Sequence, residues 1–292
     1  MPTPARSQMQ GLVLLFITTV LWGCSWPMTK YLLSVLPPFS ARAMPGLIGA
    51  TLTMIVAASR GDRLLPRPAE WGRLTLAALL NFSAWMGFTV LALQWLSTSE
   101  TVIIAYTLPI WTALLAWPLL GERPTLGRSF GIVLGLSGVI LLVAADPQPG
   151  VWSKLPGCAL ALAASILFGL GTVLSKRAPL ALPPVTAVAW QIGIGSLPFL
   201  LAIPFERPDF AHASAVTWLI LICSGTLVLG VGYMTWFAAL RRLTASLAAI
   251  GSLLVPAIGV SAAALVLREP LGLREIAALA LTLSGVAVAS RL

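Results

Sequence analysis

Residues 11–38, GLVLLFITTVLWGCSWPMTKYLLSVLPP, line up with residues 157–184, GCALALAASILFGLGTVLSKRAPLALPP, at a constant offset of 146. Trp22-Gly23 falls on Phe168-Gly169, Lys30 on Lys176, and Pro37-Pro38 on Pro183-Pro184. Further along, the offset becomes 147. Ala92-Leu93 then matches Ala239-Leu240, Pro109 matches Pro256, Glu122 matches Glu269, and Leu136-Ser137-Gly138-Val139 matches Leu283-Ser284-Gly285-Val286. One slipped residue is what a duplication with a single insertion or deletion leaves. The chain of 292 residues therefore reads as two halves, 1–146 and 147–292.

Composition says where such a duplicated chain resides. It is 58% hydrophobic and 9% charged, with a mean hydropathy of +0.95. A soluble domain carries about 25% charged residues to coat its surface, and a disordered chain is charge-rich and poor in apolar residues. Both classes are excluded, and lipid is the apolar surrounding that remains. Eighteen Lys and Arg against nine Asp and Glu give a formal charge of +9. The positive charges form short groups between apolar runs rather than a solvated basic face, so no nucleic-acid partner is expected. Cys24, Cys158 and Cys223 lie within apolar stretches without CxxC spacing, and the single His212 sits in a polar connection. Neither a disulfide framework, a metal site nor a cofactor is expected.

A spanning helix needs about 20 mostly apolar residues. Ten such runs are expected, near 11–33, 40–59, 73–95, 100–120 and 126–144, then 155–175, 184–205, 214–239, 245–267 and 272–290. Arg6 and the first run fit a signal peptide in outline, but Trp22 is too bulky beside a small-residue cleavage site and the run continues past it. It reads as a retained span. Five spans per half is an odd number, so the second copy enters the membrane from the opposite side. The fold class is an all-α polytopic membrane protein, with ten transmembrane helices as two inverted five-helix repeats around a central cavity. Of the 18 Lys and Arg, all but Lys30, Arg42, Lys154, Arg207, Arg268 and Arg274 fall on the N-terminal side, which places both termini in the cytoplasm.

Two five-helix repeats, each with Trp/Phe-Gly in its first span, a Pro in its fourth and Gly-Glu or Arg-Glu after it, resemble the drug/metabolite transporter superfamily, in particular its EamA-type ten-helix carriers. The fifth helices, with Leu-Ser-Gly-Val near their ends, fit the same pattern. The resemblance covers essentially the whole chain. It implies a basket of helices around a central cavity, in the bacterial inner membrane, that exports or exchanges small metabolites. The first, third, fourth, sixth, eighth and ninth helices would line the cavity, with the fifth and tenth peripheral. The tryptophan-rich helices look most like the YddG-type exporters of aromatic amino acids.

The residues themselves disfavour catalysis. Gly135-Leu136-Ser137-Gly138 has the look of a membrane serine protease motif, but no base accompanies it, and Leu-Ser-Gly recurs at 283–285. There is no HExxH, GxSxG or Walker A sequence. No acidic residue falls at mid-depth, so a neutral or zwitterionic substrate is expected. Glu100 at the head of the fourth run is the residue a proton-coupled drug exporter would use, and is otherwise a helix N-terminal carboxylate. A membrane scaffold or sensor without flux is the remaining alternative.

What the runs offer is aromatic side chains with scattered polar groups. Trp22 and Trp26 stand one helical turn apart, as do Asn81 and Trp85. Tyr106 and Trp111, Phe168, and Tyr233, Trp236 and Phe237 follow on the fourth, sixth and eighth runs, with Ser252 on the ninth. Together they form the expected substrate-binding set, an aromatic cage for a flat apolar side chain; lipid-facing or interfacial anchoring is the plain alternative. Trp71, Trp95, Trp152 and Trp218, near run ends, read as interfacial anchors. Pro27, Pro109 and Pro256 each free a backbone carbonyl and are the expected hinges, or else static kinks. Lys30 and Lys176 read as snorkelling cations. Gly127, Gly131 and Gly135 form a small-residue stripe for packing within the chain, consistent with a monomer, or for a dimer seam. The expected partners are thus the lipid bilayer and a small-molecule substrate, an amino acid or similar metabolite.

Overall fold

The computed structural model describes residues 4–123, 125–144, 151–243 and 251–291. The described residues are helical, with no strand among them. We label the helical stretches α1 (Pro4–Leu33), α2 (Ser40–Ser59), α3 (Pro68–Ala92), α4 (Thr98–Leu120) and α5 (Leu126–Ala144). The second half supplies α6 (Val151–Arg177), α7 (Pro184–Glu206), α8 (Ala215–Leu240), α9 (Leu254–Leu267) and α10 (Leu273–Arg291). Eight of them, α1 to α8, are long and apolar enough to cross a bilayer, and α9 is a shorter apolar helix. Residues 245–250 of the ninth expected run lie outside the described residues, as does Asp146.

Hydrocarbon leaves no partner for backbone polar groups, so helices are the way these apolar runs satisfy them. Their outward faces keep large apolar side chains, with Leu265 82% and Phe205 87% exposed. Such a surface suits lipid rather than water. Inward, helices meet at small residues. A Cβ on Gly131 would stand 2.5 Å from the Ala289 amide nitrogen, and one on Gly285 2.5 Å from Gly135 Cα, so α5 and α10 cross backbone to backbone. Gly131 and Gly135 of the glycine stripe read from the sequence are therefore covered within the chain, whereas Gly127 is only partly buried.

The pairing of helices has a pattern. α2 packs along α7 and α5 along α10; α1 packs on α9 and α8, while α6 packs on α4 and α3. Exchanging the halves turns each pairing into another of the same set, as a pseudo-two-fold relation requires. Local detail repeats too. The π-helical turns Leu79–Ala84 of α3 and Ser224–Val231 of α8 both end on residues 147 apart. The glycines of the two Trp/Phe-Gly pairs mark helix crossings: Gly23 of α1 lies against Ile258 of α9, and Gly169 of α6 against Thr112 of α4. Left-handed residues close α4 at Gly121 (φ 75°) and α9 at Arg268 (φ 55°).

Contacts define two ends of the bundle. At one, Lys30 on α1 meets the turn that follows α3, and Lys154 on α6 meets Glu100 on α4. At the other, Lys176 at the end of α6 meets Glu122 after α4. Gly11 of α1, against Leu243, and Gly131, against Ala289 of α10, put the start and end of the described chain toward the Lys176 end.

Candidate functional site

α1 organises the site because its period brings Trp22 and Trp26 to one face on successive turns. Trp26, 5% exposed, meets Trp85 of α3 edge-on at 6.4 Å and Tyr106 of α4 at 6.2 Å between ring centres. Trp85 in turn touches Tyr106 at 5.9 Å and Phe168 of α6 at 5.2 Å. Four helices thus contribute one edge-to-face cluster. Trp22 builds a second with Tyr233 at 5.3 Å and Trp236 at 5.6 Å, both on α8. Its indole N–H donates to the Val228 carbonyl at 3.2 Å, within the π-helical turn of α8. A wider turn leaves a carbonyl aimed sideways, which is a use such turns often serve.

The other expected site residues fall around these clusters. The Trp111 indole donates to Thr107 Oγ1 at 3.1 Å, and Thr107 shares a hydrogen bond of 3.1 Å with Ser165 of α6. Phe237 packs on the core of Phe82, Val188 and Phe199 where α2, α3 and α7 meet. Ser252 is half-buried just before α9. Asn81 lies in the π-helical turn of α3 against Gly171 of α6, and its Oδ1 is buried with no hydrogen-bond partner. An unpaired buried amide oxygen is uncommon in folded chains. The Trp85 cluster and Asn81 lie one turn apart on α3 and face α6 together.

α4 is interrupted in the middle of this site. Its first helical segment ends at Ala105, Tyr106 has ψ 11°, and the second begins at Leu108 with Pro109 as its next residue. In α9 a turn at Leu253 precedes Leu254–Leu267, with Pro256 in the first turn. The two interruptions occupy equivalent places in the repeats. Pro27, by contrast, lies inside the unbroken α1.

The charged residues occupy the ends. Glu100 is buried, accepting from Lys154 Nζ at 2.9 Å, Arg274 Nη2 at 3.3 Å and the Ser97 amide at 2.9 Å. Its surroundings are those of a fixed helix-cap carboxylate. Lys30 does not reach outward: its ammonium donates to the carbonyls of Leu93 and Leu96, at 2.5 and 3.0 Å. It borders an open cavity of about 430 Å³ shared with Ser34, Pro38 and Gln94. Lys176 hydrogen-bonds Glu122, and that bond holds the Glu122 carboxyl below its ordinary value. His212 pairs with Asp209 in an exposed loop, where the hydrogen bond lowers the aspartate. Of the aromatic residues near run ends, Trp71 stacks edge-on with Trp190 at 5.0 Å and Trp152 is exposed.

Three features were not read from the sequence: the Thr107–Ser165 hydroxyl pair, the Val228 carbonyl acceptor, and Arg42. The last donates from Nη1 to Thr29 Oγ1 at 3.0 Å. The orientation reading places Arg42 in a connection, although its number falls inside the run 40–59. That position was the available signal.

The arrangement has relatives. The sequence pattern of the EamA-like transporter family matches residues 9–144 and again 155–291. An uncharacterized transporter, YvbV, of Bacillus subtilis (strain 168) is 30% identical over 279 residues, 94% of this chain and 89% of its own. A probable amino-acid metabolite efflux pump of Salmonella typhimurium is 26% identical over 288 residues, 94% of this chain and 92% of its own. A solved crystal structure superposes with a TM-score of 0.71 at 21% identity, covering 96% of this chain and 98% of that one; this likeness is one of fold.

Proposed function

The chain belongs to the EamA-like transporter family, and on that premise we propose that it exports amino acids, preferably aromatic ones, and related small metabolites by alternating access. The observation that carries this reading is the Trp26–Trp85–Tyr106–Phe168 cluster, built from four helices and bordered by the unpaired oxygen of Asn81. Edge-to-face aromatic surfaces offer a flat side chain the geometry it prefers. An amide acceptor one turn away suits a donor carried by the ring, such as an indole N–H or a phenol O–H. The efflux-pump relative supports the amino-acid class.

In this reading residues 1–146 and 147–292 are inverted repeats, and the bundle sits in the bacterial inner membrane with both termini cytoplasmic. The Lys30 end then faces outward. The interruptions before Pro109 and Pro256 are the hinges, since a broken helix bends without losing further hydrogen bonds. The protein acts as a monomer on a solute it does not alter, as a carrier rather than an enzyme.

Uptake into proteoliposomes containing the purified protein tests the proposal directly. Saturable transport of phenylalanine or tryptophan, competed by other aromatic amino acids, is expected. No saturable flux of phenylalanine, tryptophan or threonine would remove the amino-acid assignment.

A further inference from the structure

At the Lys30 end the carboxylates are committed to partners within the chain. Glu206 accepts from the Phe39 amide at 3.0 Å and from the Ser40 amide and hydroxyl at 2.7 and 2.6 Å. Glu269 accepts from the Thr98 and Ser99 amides. Glu275 accepts from the Gly272 amide and from Arg274, and Glu100 from Lys154 and Arg274. Arg42, the third residue of α2, stands apart. Its Nε is buried with no acceptor, its Nη1 reaches Thr29 alone, and it forms no ion pair among the described residues. The side chain as a whole is half-buried, so the unmet donor is the inward-facing Nε edge. A buried guanidinium nitrogen without an acceptor or counter-charge is unfavourable, and within membrane helices such a group commonly marks a solute path.

Its place suits that role. Thr29 shares the inward face of α1 with Trp22 and Trp26, and three residues of helix put it ~4.5 Å along the axis from Trp26. The guanidinium is therefore tethered one turn from the aromatic cluster, toward the Lys30 end of the bundle. We propose that Arg42 receives the carboxylate of the transported solute, with Thr29 holding the guanidinium in place and the aromatic cluster taking the ring. The substrate class is then a small aromatic carboxylate, with or without an amino group. This rests on the transport reading above and deepens it. The planar fork of an arginine takes a carboxylate through two parallel hydrogen bonds, and the arriving solute supplies the negative charge that the chain lacks there.

The test compares uptake of L-phenylalanine and L-phenylalaninamide by proteoliposomes of the wild type, Arg42→Gln, Arg42→Lys and Thr29→Val, each checked for a monodisperse profile in detergent. The wild type should prefer the acid. Arg42→Gln should raise its half-saturation concentration about 30-fold or more, the scale of removing one partner from a buried charge pair, and leave the amide within about twofold. Arg42→Lys and Thr29→Val should fall between. Equal losses for both solutes, deepening in vesicles rich in anionic lipid, would assign Arg42 to a lipid phosphate and overturn the proposal, as would unchanged phenylalanine uptake by Arg42→Gln. If the wild type moves neither solute, the transport reading fails, and melting temperature with 3-phenylpropionate decides the site by itself. Stabilisation of the wild type that is lost in Arg42→Gln sustains a carboxylate site; no stabilisation of the wild type removes it. Should Arg42→Gln not fold, Arg42→Lys and Thr29→Val carry the same comparison.

Discussion

A buried amide oxygen with nothing to accept weakens a fold, and Asn81 carries one beside the aromatic cluster. Asn81→Leu, which keeps the number and branching of side-chain heavy atoms, removes that penalty of about 1–3 kcal/mol. A melting temperature equal to or above the wild type is expected, together with a several-fold rise in half-saturation for aromatic solutes. A melting temperature well below the wild type would show that the amide is structural. Trp85 touches three other rings, and ring pairs contribute about 0.5–1.5 kcal/mol beyond burial. Trp85→Ala should therefore weaken binding of phenylalanine about 3- to 10-fold while still inserting, as isothermal titration and membrane fractionation can measure. These residues were legible in the sequence because helical spacing put Trp22 beside Trp26 and Asn81 beside Trp85. Their partners were not. Trp22 turns to α8 and Trp26 to α3 and α4, a division set by where the neighbouring helices stand.

Among elements, α4 and α9 were expected to bend, and what they have are interruptions just before Pro109 and Pro256. The sequence locates the missing N–H groups; whether the helix bends, breaks or, as around Pro27, continues depends on what packs against it. Replacing both Pro109 and Pro256 by Ala restores those donors, and the hinge reading expects slower transport with unchanged insertion. The α5–α10 contact is a stability matter instead. Gly131→Leu forces a side chain into the backbone of Ala289, and overpacking of this kind costs about 1–3 kcal/mol. Its melting temperature should drop by several degrees, whereas Gly72→Ala, with open space around it, should not change it. The π-helical turns of α3 and α8 left no mark in the residue pattern, since a π-turn adds one residue without altering composition.

At the scale of the molecule, alternating access requires the two ends to open in turn. Glu122 and Lys176 join α4 to α6 at one of them. Because the hydrogen bond from Lys176 lowers the glutamate, the pair is present above the ordinary carboxylate range and is lost only as the pH falls through the lowered value. Transport should thus be insensitive to this pair between about pH 5 and about pH 8. In a chain with Cys24, Cys158 and Cys223 replaced by Ala, cysteines at 122 and 176 joined by a short cross-linker should stop uptake, and a cleavable linker should restore it on reduction. Continued uptake with that end locked would argue against rocking of the halves.

Membrane residence, the duplication and the family pattern follow from composition and from residues matched along the chain, and these need no coordinates because they depend on order alone. The tertiary structure decided which polar groups have partners. Glu100 is held by Lys154 and Arg274, Lys30 by two carbonyls, and Arg42 by a single hydroxyl, distinctions that rest on distances between helices far apart in sequence. In a low-dielectric interior those distances set whether a charge is satisfied within the chain or left for a ligand.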